Sequence, residues 1–126
     1  MMPTLATIAL AGSAIGVVAI GLLTVVFLLD PVKGLVRTTH RMADLPKVMA
    51  NRYTAFTMLA CGATAYRNLM VIAFLFAVFA FMGLADAWVY SQGGAPYSKH
   101  LIAGIAAALI AGLAIAALIF QPGAAA

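Results

Sequence analysis

The sequence predicts an all-α membrane protein, a bundle of four transmembrane helices, and three observations carry that expectation. Of its 126 residues, 66% are hydrophobic and only 8% charged, against about 25% charged in an ordinary soluble domain. The mean hydropathy is +1.13, and a soluble body this small exposes too much surface for so few polar residues to cover. The apolar residues also gather into runs close to the roughly 20 residues that a spanning helix needs. This composition excludes a water-soluble globule, a disordered chain and a free nucleic-acid-binding domain. It leaves one membrane domain over residues 1–126, with no nucleic-acid partner and no room for a soluble catalytic module.

The first span is predicted over residues 5–29, uncharged throughout and closed by Asp30-Pro31, because the residue before a proline is pushed out of helical geometry. A cleaved signal peptide is the rival reading, but the run has no basic n-region and is longer than a normal h-region. Residues 30–46 read as a basic cytoplasmic loop. Within it Lys33, Arg37 and Arg41 fall at i, i+4 spacing around Thr38, Thr39 and His40, either as a face toward anionic lipid or as ordinary topology-setting charge.

The second span is predicted over residues 47–66. The strictly apolar part from Tyr53 to Tyr66 reaches only about 21 Å at about 1.5 Å per residue. A helix that crosses must therefore begin near Lys47 and carry Asn51 and Arg52 to the boundary, with Asp44 as its cap and Pro46 in its first turn. The alternative is three spans and an interfacial helix. Thr54, Thr57, Cys61 and Thr64 share roughly one face, and Cys61 reads as a small core residue. The seven Met read as lipid-facing or core filler.

Arg67-Asn68 makes a tight turn into the third span, residues 69–90, which ends in Trp88 and Tyr90 at a membrane interface. Ser91 to Tyr97 is turn chemistry, and Ser98 is a fair N-cap for the fourth span, residues 100–120. The last two spans form an antiparallel hairpin. Gly12 and Gly16 in the first span, and Gly104, Ala108, Gly112 and Ala116 in the last, form small-residue ladders suited to close helix packing in lipid.

Orientation follows from the basic residues. Lys33, Arg37, Arg41, Lys47, Arg52 and Lys99 share one side of a four-span chain and only Arg67 lies opposite. By the positive-inside rule, both termini lie outside the cytoplasm, the membrane being a bacterial cytoplasmic (inner) membrane.

Chemistry has few carriers here. A single Cys61 allows no internal disulfide, and with His40, His100, Asp30, Asp44 and Asp86 as the only other candidates neither a metal site nor a cofactor is expected. An ionisable group within a span is a site candidate by default. Asp86 and His100 are the candidate acid/base pair, and Arg52, Tyr53 and Tyr97 the candidate binding residues. Asp86 is expected to pair with Arg52, whose planar fork suits a carboxylate.

Asn51-Arg52 before a small-residue helix, then Gly83-Leu84-Ala85-Asp86-Ala87, then His100-Leu101-Ile102-Ala103-Gly104, resembles a family of small four-helix membrane proteins. That family occurs in bacteria and fungi and is known mainly as a domain of unknown function. Its pattern has a Gly-x-Arg-Asp start, an Asp late in the third span and a His opening the fourth. The resemblance covers roughly residues 50–118 and implies four spans and a grouping of Arg52, Asp86 and His100. Tyr53 stands where the family prefers an acid, which weakens any role carried over to that position.

The first functional expectation is a non-enzymatic, helix-packing membrane subunit, with lipids and either a second copy or a larger membrane complex as partners. The alternative is a small membrane enzyme or binder of a hydrophobic molecule, using Arg52, Asp86 and His100. A dimeric small transporter is the third, weakened by the lack of an acid in the first span.

Overall fold

The structure, a computed structural model, describes residues 5–120, which form α-helices and turns with no strand among them. The order is α1 (Leu5–Leu29), α2 (Pro31–Arg37), a 3-10 turn (Met42–Asp44), α3 (Leu45–Tyr66), α4 (Leu69–Gln92) and α5 (Ser98–Phe120). The chain divides into two compact units, one ending at Ala50 and the other beginning at Asn51. Helices α4 and α5 are each long and apolar enough to cross a membrane.

In the first unit, α1 stops at Leu29, one residue before the Asp30-Pro31 pair. Asp30 then caps α2, its carboxylate accepting from the Lys33 amide at 3.0 Å and meeting the Lys33 ammonium at 3.2 Å. The Lys33 amide, and then its side chain, hold the Asp30 carboxyl below the usual carboxylate range. Pro31 sits at the first helical position, where its missing N–H costs nothing. Gly34 is buried against Phe27, and a Cβ there would meet the ring at 2.5–2.7 Å, so α2 packs on the end of α1 through this glycine. The expected loop is thus part helix. The basic face is shorter than its spacing implied, because Thr39 takes a positive φ of 58° and leaves Arg41 in extended backbone beyond α2. Gly12 and Gly16 belong to α1, but their surroundings lie outside the described residues.

Helix α3 begins at Leu45, directly after the 3-10 turn that contains Asp44. Its 22 residues extend about 33 Å at about 1.5 Å each, enough to match a bilayer core. Thr57 donates its hydroxyl to the Tyr53 carbonyl at 2.9 Å, which satisfies it without water. Cys61 is exposed rather than buried. The face turned inward holds Phe56, Ala60 and Ala63, and Cys61 lies just off it.

The α3–α4 turn is closed by Arg67 at φ 59°, whose amide reaches the carbonyls of Ala63 and Thr64 at 3.2 Å. The Asn68 side chain then caps α4 by accepting from the amides of Met70 and Val71. The α4–α5 turn needs a left-handed residue too, and Gly94 supplies it at φ 68°. Helix α4 runs to Gln92, two residues past its expected end, and Ser98 is the first residue of α5 rather than its cap.

The hairpin of α4 and α5 is built on small residues. Ala73, Ala80 and Ala87, seven apart, are the buried residues of α4, and Gly104, Ala107, Ala111 and Ala114 those of α5. A 3.5-residue repeat of this kind keeps one seam facing the partner along the whole contact. At its tightest point a Cβ on Gly83 would lie 2.7 Å from the backbone of Gly104, and one on Gly104 would lie 2.8 Å from the Leu84 amide. Counted outward from there, the antiparallel register sets Ala80 opposite Ala107 and Ala87 opposite His100. The expected ladder on α5 contributes one residue to this buried seam. Gly104 belongs to the seam, but Ala108 is exposed, Gly112 has nothing within 4 Å of its would-be side chain, and Ala116 is half-buried. Ala108 and Gly112 therefore lie off the α4–α5 seam, which follows steps of three and four rather than strict steps of four.

The large apolar side chains point the other way. Phe74 and Phe81 are more than 70% exposed, as is Leu113, while no large side chain is fully buried among the described residues.

Two outcomes follow from this packing. Gly83→Ala should destabilise the hairpin by about 1–3 kcal/mol, because backbone cannot yield to the new methyl. Gly112→Ala should instead stabilise it by about 0.5–1 kcal/mol through helix propensity. Reversible unfolding in mixed micelles reads both, and equal effects of one sign would contradict the seam. At the other turn, Arg67→Gly should raise stability by about 1 kcal/mol, since left-handed backbone costs a non-glycine residue roughly that much. A loss of stability on that change would mean the guanidinium, and not the turn, governs the position.

Candidate functional site

Helices α3, α4 and α5 enclose an open groove of about 340 Å³ within the second unit. Its floor is the small-residue side of α5, with Ala103, Ala106 and Ala107, where the absence of bulk leaves room. Its walls are aromatic. Phe56 of α3 lies 5.6 Å from Phe79 of α4, Phe79 lies 5.6 Å from Phe76, and Tyr53 meets Phe56 edge-on at 6.1 Å. Large rings on α4 thus lean over small residues on α5, and α3 joins α4 by ring contact.

One end of the groove is polar. The Asp86 carboxylate lies 3.7 Å from His100 Nδ1, an ion-pair distance longer than a hydrogen bond. The Tyr90 ring stacks on the His100 imidazole, with centroids 4.7 Å apart and planes 13° from parallel. Asp86 and Tyr90 are four apart on α4 and share a face, so together they hold the imidazole that opens α5. The His100 side chain is 30% exposed and that of Asp86 55% exposed, which leaves the carboxylate open to an occupant of the groove. Gly83 and Gly104, by letting the helices touch, set this end of the hairpin close enough for the pair to form.

The sequence-predicted residues are only partly brought together. Asp86, His100 and Tyr53 line the groove. Tyr97 lies on a different shallow surface, with Leu84, Ala87, Trp88, Ser91 and Leu101. Arg52 is exposed and does not pair with Asp86. Among the described residues the ion pairs are Asp30–Lys33, Asp44–Lys47 and Asp86–His100. The hairpin offers Asp86 a neighbour on its own seam, whereas Arg52 lies one residue before Tyr53 and off the groove.

Sequence reasoning missed Phe56, Phe76, Phe79 and Met82 as groove residues and Tyr90 as the partner of His100. The signals were the heptad of Ala73, Ala80 and Ala87, which places Phe76 and Phe79 beside the seam, and the four-residue step from Asp86 to Tyr90.

The residues present can receive a hydrogen bond or a positive charge at the carboxylate, pass a proton at the imidazole, and surround an apolar body with rings. No serine, cysteine or lysine lines the groove, and the nucleophilic types in its lining are Asp86, His100 and Tyr53. No three His, Cys, Asp or Glu side chains gather among the described residues. A wider groove on α3 and α4, from Ala55 to Leu75, has only the Tyr66 ring as a polar body and gives an occupant little to orient by. Compared with family models, with curated proteins and with solved structures, the chain matches none.

Proposed function

We propose that this chain is an integral membrane protein of four spans that binds a hydrophobic molecule in the groove of α3, α4 and α5. The observation that carries the reading is the groove itself. It is apolar and aromatic along its walls, of a few hundred Å³, and closed at one end by Asp86 and His100. Ligand sites combine such walls with a few placed polar groups at volumes of about 300–1,000 Å³.

Several features support the membrane part. Large apolar residues face outward from a core of Ala and Gly, an arrangement that water would penalise and lipid does not. Helix α1 is 25 residues long and uncharged, and α3 is long enough to cross with Lys47 and Arg52 at its boundary. Four spans put six of the seven basic residues on the cytoplasmic side of a bacterial inner membrane. Reporter fusions at the two ends should then both read outside the cytoplasm. A cytoplasmic C-terminus with an external N-terminus would leave three spans, with α3 at the interface.

A second reading has its own observation. Ala108 and Gly112 on α5 are open, and small residues left on a lipid-facing side suit a further helix, from a second copy or from a larger complex.

The two readings separate on the groove. Ala106 is exposed on its floor and off the buried seam, so Ala106→Trp should fill it without unfolding the hairpin. A photoreactive alkane diazirine should label Phe56, Phe76 and Phe79 in the original protein. The variant should lose most of that labelling, about tenfold if the filled site costs the probe roughly 1.4 kcal/mol. Labelling spread evenly over the lipid-facing residues, and unchanged in the variant, would remove the binding reading and leave the packing one.

A further inference from the structure

We propose that the groove selects amphiphiles with a positively charged head, and that His100 makes their binding depend on pH. This rests on the groove being a binding site and goes on to name the charge class of what it takes.

The argument begins with the charge that lines the groove. Three titratable side chains line it: Tyr53 from α3, Asp86 from α4 and His100 from α5, with Tyr90 of α4 stacked behind the imidazole. Tyrosine is neutral at any ordinary pH. With a neutral imidazole the lining therefore carries a single negative charge, on Asp86. Arg52 and Lys99 are next in sequence to Tyr53 and His100, but both are exposed and neither lines the groove. An anionic head would lie against the Asp86 carboxylate, with no lining cation to offset it at neutral pH. A cationic head gains that carboxylate, whose side chain is 55% exposed and so free to receive it. The aromatic and apolar walls then take its tail.

His100 competes for the same charge. Its Nδ1 lies 3.7 Å from Asp86, so a protonated imidazole supplies the carboxylate with a cation from within the protein. Lining charge then falls to zero, and a charged head arriving in the groove finds its partner taken. Cation binding and the proton on His100 thus oppose one another, so protonation weakens binding. A neutral amphiphile uses only the apolar walls and has no such linkage.

Length follows from the same residues. The groove runs along α5 from His100 to Ile110, about 15 Å at about 1.5 Å per residue. An extended chain advances roughly 1.2 Å per bond, so a tail of about ten to twelve carbons fills it.

The test uses the full chain in phosphatidylcholine nanodiscs, with empty nanodiscs as the reference for partitioning. Decyltrimethylammonium, decanol and decanoate are titrated calorimetrically. The ammonium should bind more tightly than decanoate at about pH 8, and should lose affinity toward about pH 5.5, where a proton on the imidazole would offset the Asp86 charge. Decanol should bind equally at both. His100→Gln should keep ammonium binding and abolish its pH dependence. Asp86→Asn should reduce the ammonium to the level of decanol, with retained decanol binding showing that the groove is intact. Decanoate binding as tightly as the ammonium, or ammonium affinity independent of pH in the original protein, would overturn the charge class while leaving the groove as a binding site. No binding of any of the three would overturn the groove reading and this inference with it.

Discussion

The backbone of α4 touches that of α5 at Gly83 and Gly104, and most of what distinguishes the second unit depends on that contact. With no side chain at either position, the two helices approach until a single added methyl would collide with main chain. A tight crossing leaves space only for small residues on either side of it, which is why the buried positions of both helices are Ala or Gly. Close approach also brings the end of α4 against the start of α5, and so sets Asp86 beside His100 and Tyr90 over it.

Such a seam buries little apolar area, and in water it would hold a hairpin poorly. In lipid the comparison changes, because apolar side chains gain nothing by leaving the bilayer and packing of small residues becomes the main source of association. Large side chains are then free to lie outside, as Phe74, Phe81 and Leu113 do. On one side of the hairpin the same division of sizes makes a hollow. Phe76 and Phe79 stand up from α4, Ala103 and Ala106 leave a low floor on α5, and Phe56 of α3 closes the third side. The proposed binding site is thus a by-product of the packing rule that holds the helices together.

How much of this could be read from the sequence varied with how local the cause was. The stop at Leu29, the turn after Gln92 and the tight turn at Arg67-Asn68 follow from proline, glycine and capping chemistry within a few residues, and the structure has them where expected to within two residues. The pairing of α4 with α5 was legible because a short turn leaves few alternatives. Of the ladder read at Gly104, Ala108, Gly112 and Ala116, the buried seam takes Gly104, because α4 and α5 meet in alternating steps of three and four, and Ala108 and Gly112 are left open. Asp86 and His100 were legible as a pair of rare ionisable residues at one end of the hairpin. The expected Arg52 contact was not there, since sequence order carries no information on which side of α3 faces the groove. The burial expected of Cys61 failed for the same reason.

The account stands most directly on the period of the α4–α5 seam. Single cysteines at positions 107, 108, 111, 112 and 114, introduced one at a time with Cys61→Ser, can be labelled in membranes with a lipid-soluble maleimide. The packing described here predicts fast labelling at 108 and 112 and protection at 107, 111 and 114. Protection at 108 and 112 with fast labelling at 107 and 111 would place the opposite side of α5 against α4, and would contradict the seam and the groove built beside it.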